Sequence, residues 1–127
     1  MSKAIVQNSA STQDAISEPY IVNLDEMIGI SEGSIVSRII ANKQAGAVTM
    51  FAFDEGQAIS EQTLPFDSVL FVTSGTMEIE INRQEAIEVS TEEMVFIPAD
   101  TPYEMYAPMP FKMFSVLIRA KAPKVDL

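Results

Sequence analysis

From Tyr20 onward the chain is cut into short apolar runs separated by turn residues, and that rhythm restricts the possible fold more than any other feature. The runs are YIVNL, SIVSRIIA, AVTMFAF, SVLFVTS, TMEIEI, MVFIP and FKMFSVLI. Each is about five to eight residues long and rich in Val, Ile, Phe and Thr, which suit a pleated, half-buried surface, whereas helical runs are usually longer. No long amphipathic helix is visible. The period of two is cleanest in TMEIEI, where Met77, Ile79 and Ile81 share one face and Glu78 and Glu80 the other, so one face is buried and the other wet. Asn82-Arg83-Gln84-Glu85 reads as a turn into the next strand, and Gly56, Gly75 and Pro98 punctuate others. Seven or more such strands within 127 residues predict an all-β sandwich or barrel, and a chain of this length forms one domain rather than two. The polar stretch 1–18 is expected to be a loosely ordered tail, or an arm that pairs with a partner subunit. Residues 19–120 are expected to form the barrel and 121–127 a C-terminal tail.

Composition narrows the chemistry. Hydrophobic residues at 47% and charged residues at 20% make a globular chain, so it is expected to fold unaided. Eight Lys and Arg against 18 Asp and Glu give a net charge of −10, a field that repels phosphate backbones and anionic lipid. Neither nucleic acid nor membrane is therefore expected as a partner. The chain has no Cys, which removes thiolate metal sites, disulfides and thiol nucleophiles. It also has no His, the commonest metal ligand and the one side chain that ordinarily titrates near neutrality. Any general acid or base would have to be a carboxyl, Lys or Tyr. With no secretory-type leader and no apolar run approaching membrane-spanning length, the expected location is cytoplasmic.

The stretch GQAISEQTLPFDSVLFVTSG, Gly56 to Gly75, resembles the first motif of the cupins: Gly, five residues, His-x-His, three or four residues, Glu, six residues, Gly. Both glycines stand in place, and Pro65 and Phe66 occupy positions where cupins often carry the same pair. Where the family's metal ligands would stand, this chain has Gln62, Leu64 and Ser68. Further on, EEMVFIPADTPYEMYA resembles the second motif, Gly, five residues, Pro-x-Gly-x-x-His, three residues, Asn. Pro98 matches. The two glycines are Glu92 and Asp100, the His is Tyr103 and the Asn is Ala107. The resemblance spans roughly residues 20 to 119, and it implies a double-stranded β-helix, or jelly-roll barrel, of a kind that commonly dimerises.

A tight metal site needs carboxylates, imidazoles or thiolates, and Gln62, Ser68 and Tyr103 offer only neutral atoms while Leu64 offers none. Glu61, Asp67 and Glu104 lie one residue away from those positions. Neighbouring side chains on a strand point to opposite faces, so these carboxylates face outward if 62, 68 and 103 face inward. No metal and no cofactor are expected. The candidate pocket is Gln62, Leu64, Phe66, Ser68, Met77, Tyr103 and Met105, a set suited to a small apolar or aromatic molecule. Arg38 joins it as a possible anchor for an acidic group, the alternative being that Val36, Arg38 and Ile40 form an outer or inter-subunit face. Tyr103 is the candidate acid or base, and otherwise a core phenol hydrogen-bonded to the backbone. Three functions follow in order: a metal-free, dimeric barrel that binds a small molecule; a metal-free isomerase or lyase for a small carbonyl compound using Tyr103, Gln62 and Arg38; and a metal-dependent dioxygenase or isomerase. Elemental analysis of protein purified without a His tag should find no stoichiometric transition metal, and one equivalent of bound ion would contradict the donor argument.

Overall fold

The computed structural model describes residues 18–120, so the expected tails fall outside the described residues except for Glu18. Nine strands form the chain in this order: β1 (Ile35–Lys43), β2 (Gly46–Phe53), β3 (Ala58–Gln62), β4 (Phe66–Ser74), β5 (Thr76–Ile81), β6 (Ile87–Ser90), β7 (Met94–Ile97), β8 (Tyr103–Tyr106) and β9 (Phe111–Arg119). They make a five-stranded sheet of order β1-β2-β9-β4-β7 and a four-stranded sheet of order β3-β8-β5-β6, with every pairing antiparallel. No helix occurs among the described residues, and none is long and apolar enough to cross a membrane.

Six of the seven apolar runs become strands. YIVNL does not: Tyr20, Ile21 and Val22 run without a strand partner, and the chain then turns at 23–27, where Asn23 Oδ1 accepts from Glu26 N at 3.0 Å. An apolar run forms a strand only where another strand offers its backbone groups, and none does so here. Three further strands, β3, β6 and β8, come from stretches too short and polar to stand out, and they are fixed by pairing in the smaller sheet.

The two sheets close on one apolar interior. Phe53, Leu70, Val72, Met77, Ile79, Met105, Phe111 and Met113 are all buried there, with the rings of Phe53 and Phe111 stacked at 4.4 Å and 17°. Alternation decides what points in. On β9, Phe111, Met113 and Ser115 are buried while Lys112, Phe114 and Val116 between them are half-buried on the outer side. A second, smaller cluster lies on the outside of the larger sheet. There Met27 and Ile28 cover Met50 and Ala52, with Leu24, Val36, Ile40 and Phe114 around them. Lys112 Nζ anchors this flap by donating to Asp25 O at 2.7 Å and Oδ1 at 3.1 Å.

The outer face of the smaller sheet is acidic. Register sets Glu78 opposite Glu88 and Glu80 opposite Glu104. Like charges directly across a ladder repel, so this face is held by the burial beneath it rather than by its own side chains.

Left-handed backbone marks the turns. Ile81-Asn82-Arg83-Gln84 closes with Gln84 N donating to Ile81 O at 3.1 Å, and Asn82 and Arg83 have φ of 57° and 59°, as a type I′ turn requires. Gly75 (φ 86°) lets β4 turn into β5 against Pro110 and Phe111, whose backbone a Cβ at this position would strike. Gly75→Ala should therefore destabilise the barrel by at least about 2 kcal/mol, whereas Arg83→Gly should stabilise it by up to about 1 kcal/mol, because glycine enters φ > 0 freely. Denaturant midpoints of the two variants would show opposite signs.

Candidate functional site

Strand register brings three of the expected residues together. Gln62 on β3 stands opposite Tyr103 on β8, which stands opposite Ile81 on β5. Ser68 on β4 lies between Leu117 on β9 and Ile97 on β7 across the larger sheet. Tyr103 and Ser68 are buried, while Gln62, Leu64, Ile81 and Leu117 keep partial exposure. Inward residues that are half-buried lie near an end of the barrel, so the polar trio sits close to that end, among partly exposed apolar side chains.

Loop contacts fix this end. Asp67 Oδ1 accepts from Ala99 N at 2.9 Å, Leu64 O from Asp100 N at 2.8 Å and Pro102 O from Asn82 N at 2.9 Å. Asp67 is thus committed to the 98–100 loop. Glu61 pairs on the surface with Arg83 at 2.7 Å, and Glu104 faces outward across from Glu80. The three carboxylates adjacent to the candidate ligand positions all lie on the wrong side of their strands.

Within the trio, Gln62 Nε2 donates to Tyr103 Oη at 3.4 Å, a long hydrogen bond. Burial raises the pKa of the Tyr103 phenol above its ordinary value of 10.0, tempered by the neighbouring Ser68 and Gln62 side chains. Ser68 is only 1% exposed, and its Oγ stands beside the Tyr103 phenol, close enough to temper that group's pKa but outside good hydrogen-bond geometry. A buried hydroxyl with no hydrogen bond at all costs about 1–3 kcal/mol, and a poorly aligned one costs part of that. The site is therefore neutral, holds a phenol that keeps its proton, and contains one poorly hydrogen-bonded hydroxyl.

The remaining candidates separate. Met105 lies directly below Tyr103 on the inner face of β8 and is buried in the main core. Leu64 packs against that core, and Phe66 is half-buried at the start of β4. Met77 does not belong to the site: it lies four residues from Ile81 along β5, about 13 Å at ordinary strand rise, fully buried in the core. Arg38 does not belong either. It shares the outer face of β1 with Val36 and Ile40, and its Nη1 donates to Met27 O at 3.0 Å beneath the flap. Alternation along β1 turns it away from the interior, and a backbone carbonyl satisfies a guanidinium nitrogen that would otherwise call for a carboxylate. Ile81, Ile97 and Leu117 complete the surroundings. Ile81 could have been found from its place on the inward face of TMEIEI, but Ile97 and Leu117 become neighbours of Ser68 only through cross-strand pairing.

A metal does not fit here. An amide, a hydroxyl and a protonated phenol supply no anionic or imidazole donor, and the fourth position is the hydrocarbon of Leu64. Among the described residues no three Asp or Glu side chains gather closely enough to hold an ion.

Two antiparallel sheets closed around one core form a double-stranded β-helix, the fold that cupin proteins share, and positions 62, 64, 68 and 103 carry no imidazole, thiolate or carboxylate. Solved structures agree. A conserved protein of unknown function from Streptococcus pyogenes is 29% identical, matching over 84% of this chain and 93% of its own with a TM-score of 0.77. A cupin superfamily protein from Desulfitobacterium hafniense is 22% identical over 72% of this chain and 83% of its own, with a TM-score of 0.68. An uncharacterised conserved protein with a double-stranded β-helix domain from Klebsiella pneumoniae is 19% identical over 84% and 95%, with a TM-score of 0.70. No protein-family model and no curated protein matches the sequence.

Stability carries the signature of Tyr103. Because the folded phenol holds its proton more firmly than the unfolded one, its contribution is fully present below the ordinary phenol value and is lost as pH rises through the raised one. Tyr103→Phe should remove a component of the 295 nm phenolate titration lying above pH ~10 and flatten the alkaline fall in stability.

Proposed function

We propose that this chain is a metal-free, non-catalytic binding barrel for a compact, uncharged, largely apolar or aromatic molecule that presents one carbonyl or hydroxyl oxygen. The observation that carries this reading is the buried, poorly hydrogen-bonded Ser68 hydroxyl, set beside the Tyr103 phenol among partly exposed apolar side chains. A ligand oxygen at this point would accept from Tyr103 Oη or Ser68 Oγ and remove the desolvation penalty, while ring or alkyl surface would rest on Leu64, Ile81 and Leu117. A carboxylate finds no cation in the trio to offset the loss of its hydration, so the neutral form of a ligand is preferred.

Binding is favoured over catalysis by the same groups. A phenol whose pKa is raised is a poorer base near neutrality, and Arg38, the group that could have positioned a substrate, lies on the other side of the sheet. No second titratable side chain among the described residues joins Tyr103 in the trio, so an isomerase or lyase would have an acid without a base.

Ser68→Ala tests the reading because it has opposite effects with and without ligand. Removing a poorly bonded buried hydroxyl should leave the free protein as stable as the wild type or up to about 1 kcal/mol more stable. The same change should weaken the thermal shift given by small aromatic ketones and phenols, as should Tyr103→Phe, while the matching benzoates should give little shift with any form. If no neutral aromatic compound stabilises the wild type more than it stabilises Tyr103→Phe, the proposal is wrong.

A further inference from the structure

We infer that the interior is entered from the side, between the β1 edge of the larger sheet and the β3 edge of the smaller one, and that a neutral, elongated molecule with a polar group at each end lies along this entrance with its inner end at Ser68. Register orders the inward face of the larger sheet into rows. Asn42, Ala47, Leu117, Ser68 and Ile97 stand side by side on β1, β2, β9, β4 and β7. The next row along the strands is Ile39, Thr49, Ser115 and Leu70, and the one beyond it Ser37, Phe51, Met113 and Val72. From β1 to β4 every row becomes more buried. Ile39 is 39% exposed, Thr49 half-buried, Ser115 5% exposed and Leu70 1%. Asn42 and Ser37 are exposed at the β1 end of their rows, whereas Ser68 and Val72 at the β4 end are sealed.

The two faces of β1 supply the second observation. Its outward side chains Val36, Arg38 and Ile40 are half-buried with the flap beside them, while its inward side chains Ser37 and Ile39 are exposed. A strand covered by the opposite sheet has the reverse pattern. The larger sheet is one strand wider than the smaller, and β1 is the strand that overhangs. On the other side of the barrel β6 packs against β4 and β7, whereas β3 approaches neither β1 nor β2 as closely. Ile59 and Gln62 on β3 are accordingly half-buried, while Val89 on β6 and Ile97 on β7 are buried. Solvent therefore nears Ser68 by way of β1 and β2, past Thr49 and Leu117, and is shut out on the β6 and β7 side.

The groups along this route decide what it takes. In the Ser68 row an amide, Asn42, and a hydroxyl, Ser68, flank the apolar Ala47 and Leu117, and Tyr103 and Gln62 stand at the Ser68 end. With neighbouring strands about 4.8 Å apart, Asn42 and Ser68 are separated by three spacings, about 14 Å between backbones. The row is uncharged: Arg38 lies on the outer face of β1, and Glu61 pairs with Arg83. A molecule that matches it is neutral, with an apolar or aromatic middle and a hydrogen-bonding group at either end. Its inner oxygen accepts from Tyr103 or Ser68, and its outer group meets the Asn42 amide, which both donates and accepts. This occupant deepens the binding function proposed above and rests on it, whereas the entrance rests on register and burial alone.

Because the chain has no Cys, a single introduced thiol reports on its own surroundings. Under native conditions the small neutral reagent methyl methanethiosulfonate should label Thr49→Cys, Ser115→Cys and Ser68→Cys in that descending order, over a range of about a hundredfold. Adding Ser37→Trp or Ile39→Trp to Ser68→Cys should slow its labelling about tenfold, and Ile87→Trp, at an exposed position on the β6 side, should not. Ser37 and Ile39 are both exposed, so either serves if the other variant misfolds. Entrance tryptophans without effect, or an Ile87→Trp that slows labelling equally, overturn the entrance. For the occupant, 4-(hydroxymethyl)acetophenone should give the wild type a larger thermal shift than acetophenone, and Asn42→Ala should erase the difference. No difference in the wild type, or one that survives Asn42→Ala, overturns the two-ended occupant. If neither compound shifts the wild type while the labelling pattern holds, the binding function and the occupant both fall and the entrance stands.

Discussion

Strand β9 is the member on which the barrel depends. It pairs with β2 along eight positions on one side and with β4 on the other, so it joins the halves of the larger sheet. Its inward residues Phe111 and Met113 then fill the space against Phe53 and the smaller sheet. Its outward residues are the anchor for the flap, Lys112, and the apolar Val116 and Ile118. The approach that brings β9 close enough to do this needs bare backbone at Gly75 and at Gly46, where a Cβ would strike Leu117. Core, site and outer face are therefore three results of one central pairing.

Much of this was legible in the sequence, for reasons that differ from place to place. Strands that bury one full face announce themselves by alternation: TMEIEI becomes β5 with its ends where the pattern puts them. β3, β6 and β8 are short and partly polar, and their pairing comes from neighbours distant in the chain. YIVNL has the composition of a strand, but hydrogen bonding needs a partner and none stands beside it in this chain. In the site, the resemblance of the Gly56–Gly75 stretch to the cupin motif implies inward places for Gln62 and Ser68, and the structure sets both beside Tyr103. Met77 shares the inward strand face of Ile81 but not its depth, and depth along a strand is invisible to a period of two. Arg38 takes the second of its two readings, the outer face with Val36 and Ile40, and it pairs in unbroken register before the bulge between Ile39 and Ala41.

The site is neutral inside a strongly anionic protein, and the two facts have one cause. Alternation that turns Glu61, Asp67 and Glu104 outward leaves uncharged atoms within, so these carboxylates are kept from the interior by strand geometry alone. The candidate site so insulated offers shape and neutral hydrogen-bonding groups rather than charge.

Glu92 and Asp100 occupy the two places where the resembling motif has glycine, and both keep the left-handed backbone, with φ of 71° and 65°. Glu92 N donates to Val72 O at 2.7 Å and Asp100 N to Leu64 O at 2.8 Å, which holds each turn in place despite its side chain. Glycine at either position would release roughly 1 kcal/mol of conformational strain without disturbing those bonds. The scaffold consequently has a reserve against which an engineer could set the destabilisation of grafting imidazole and carboxylate ligands onto positions 62, 64, 68 and 103, making this barrel a starting point for a built metal centre.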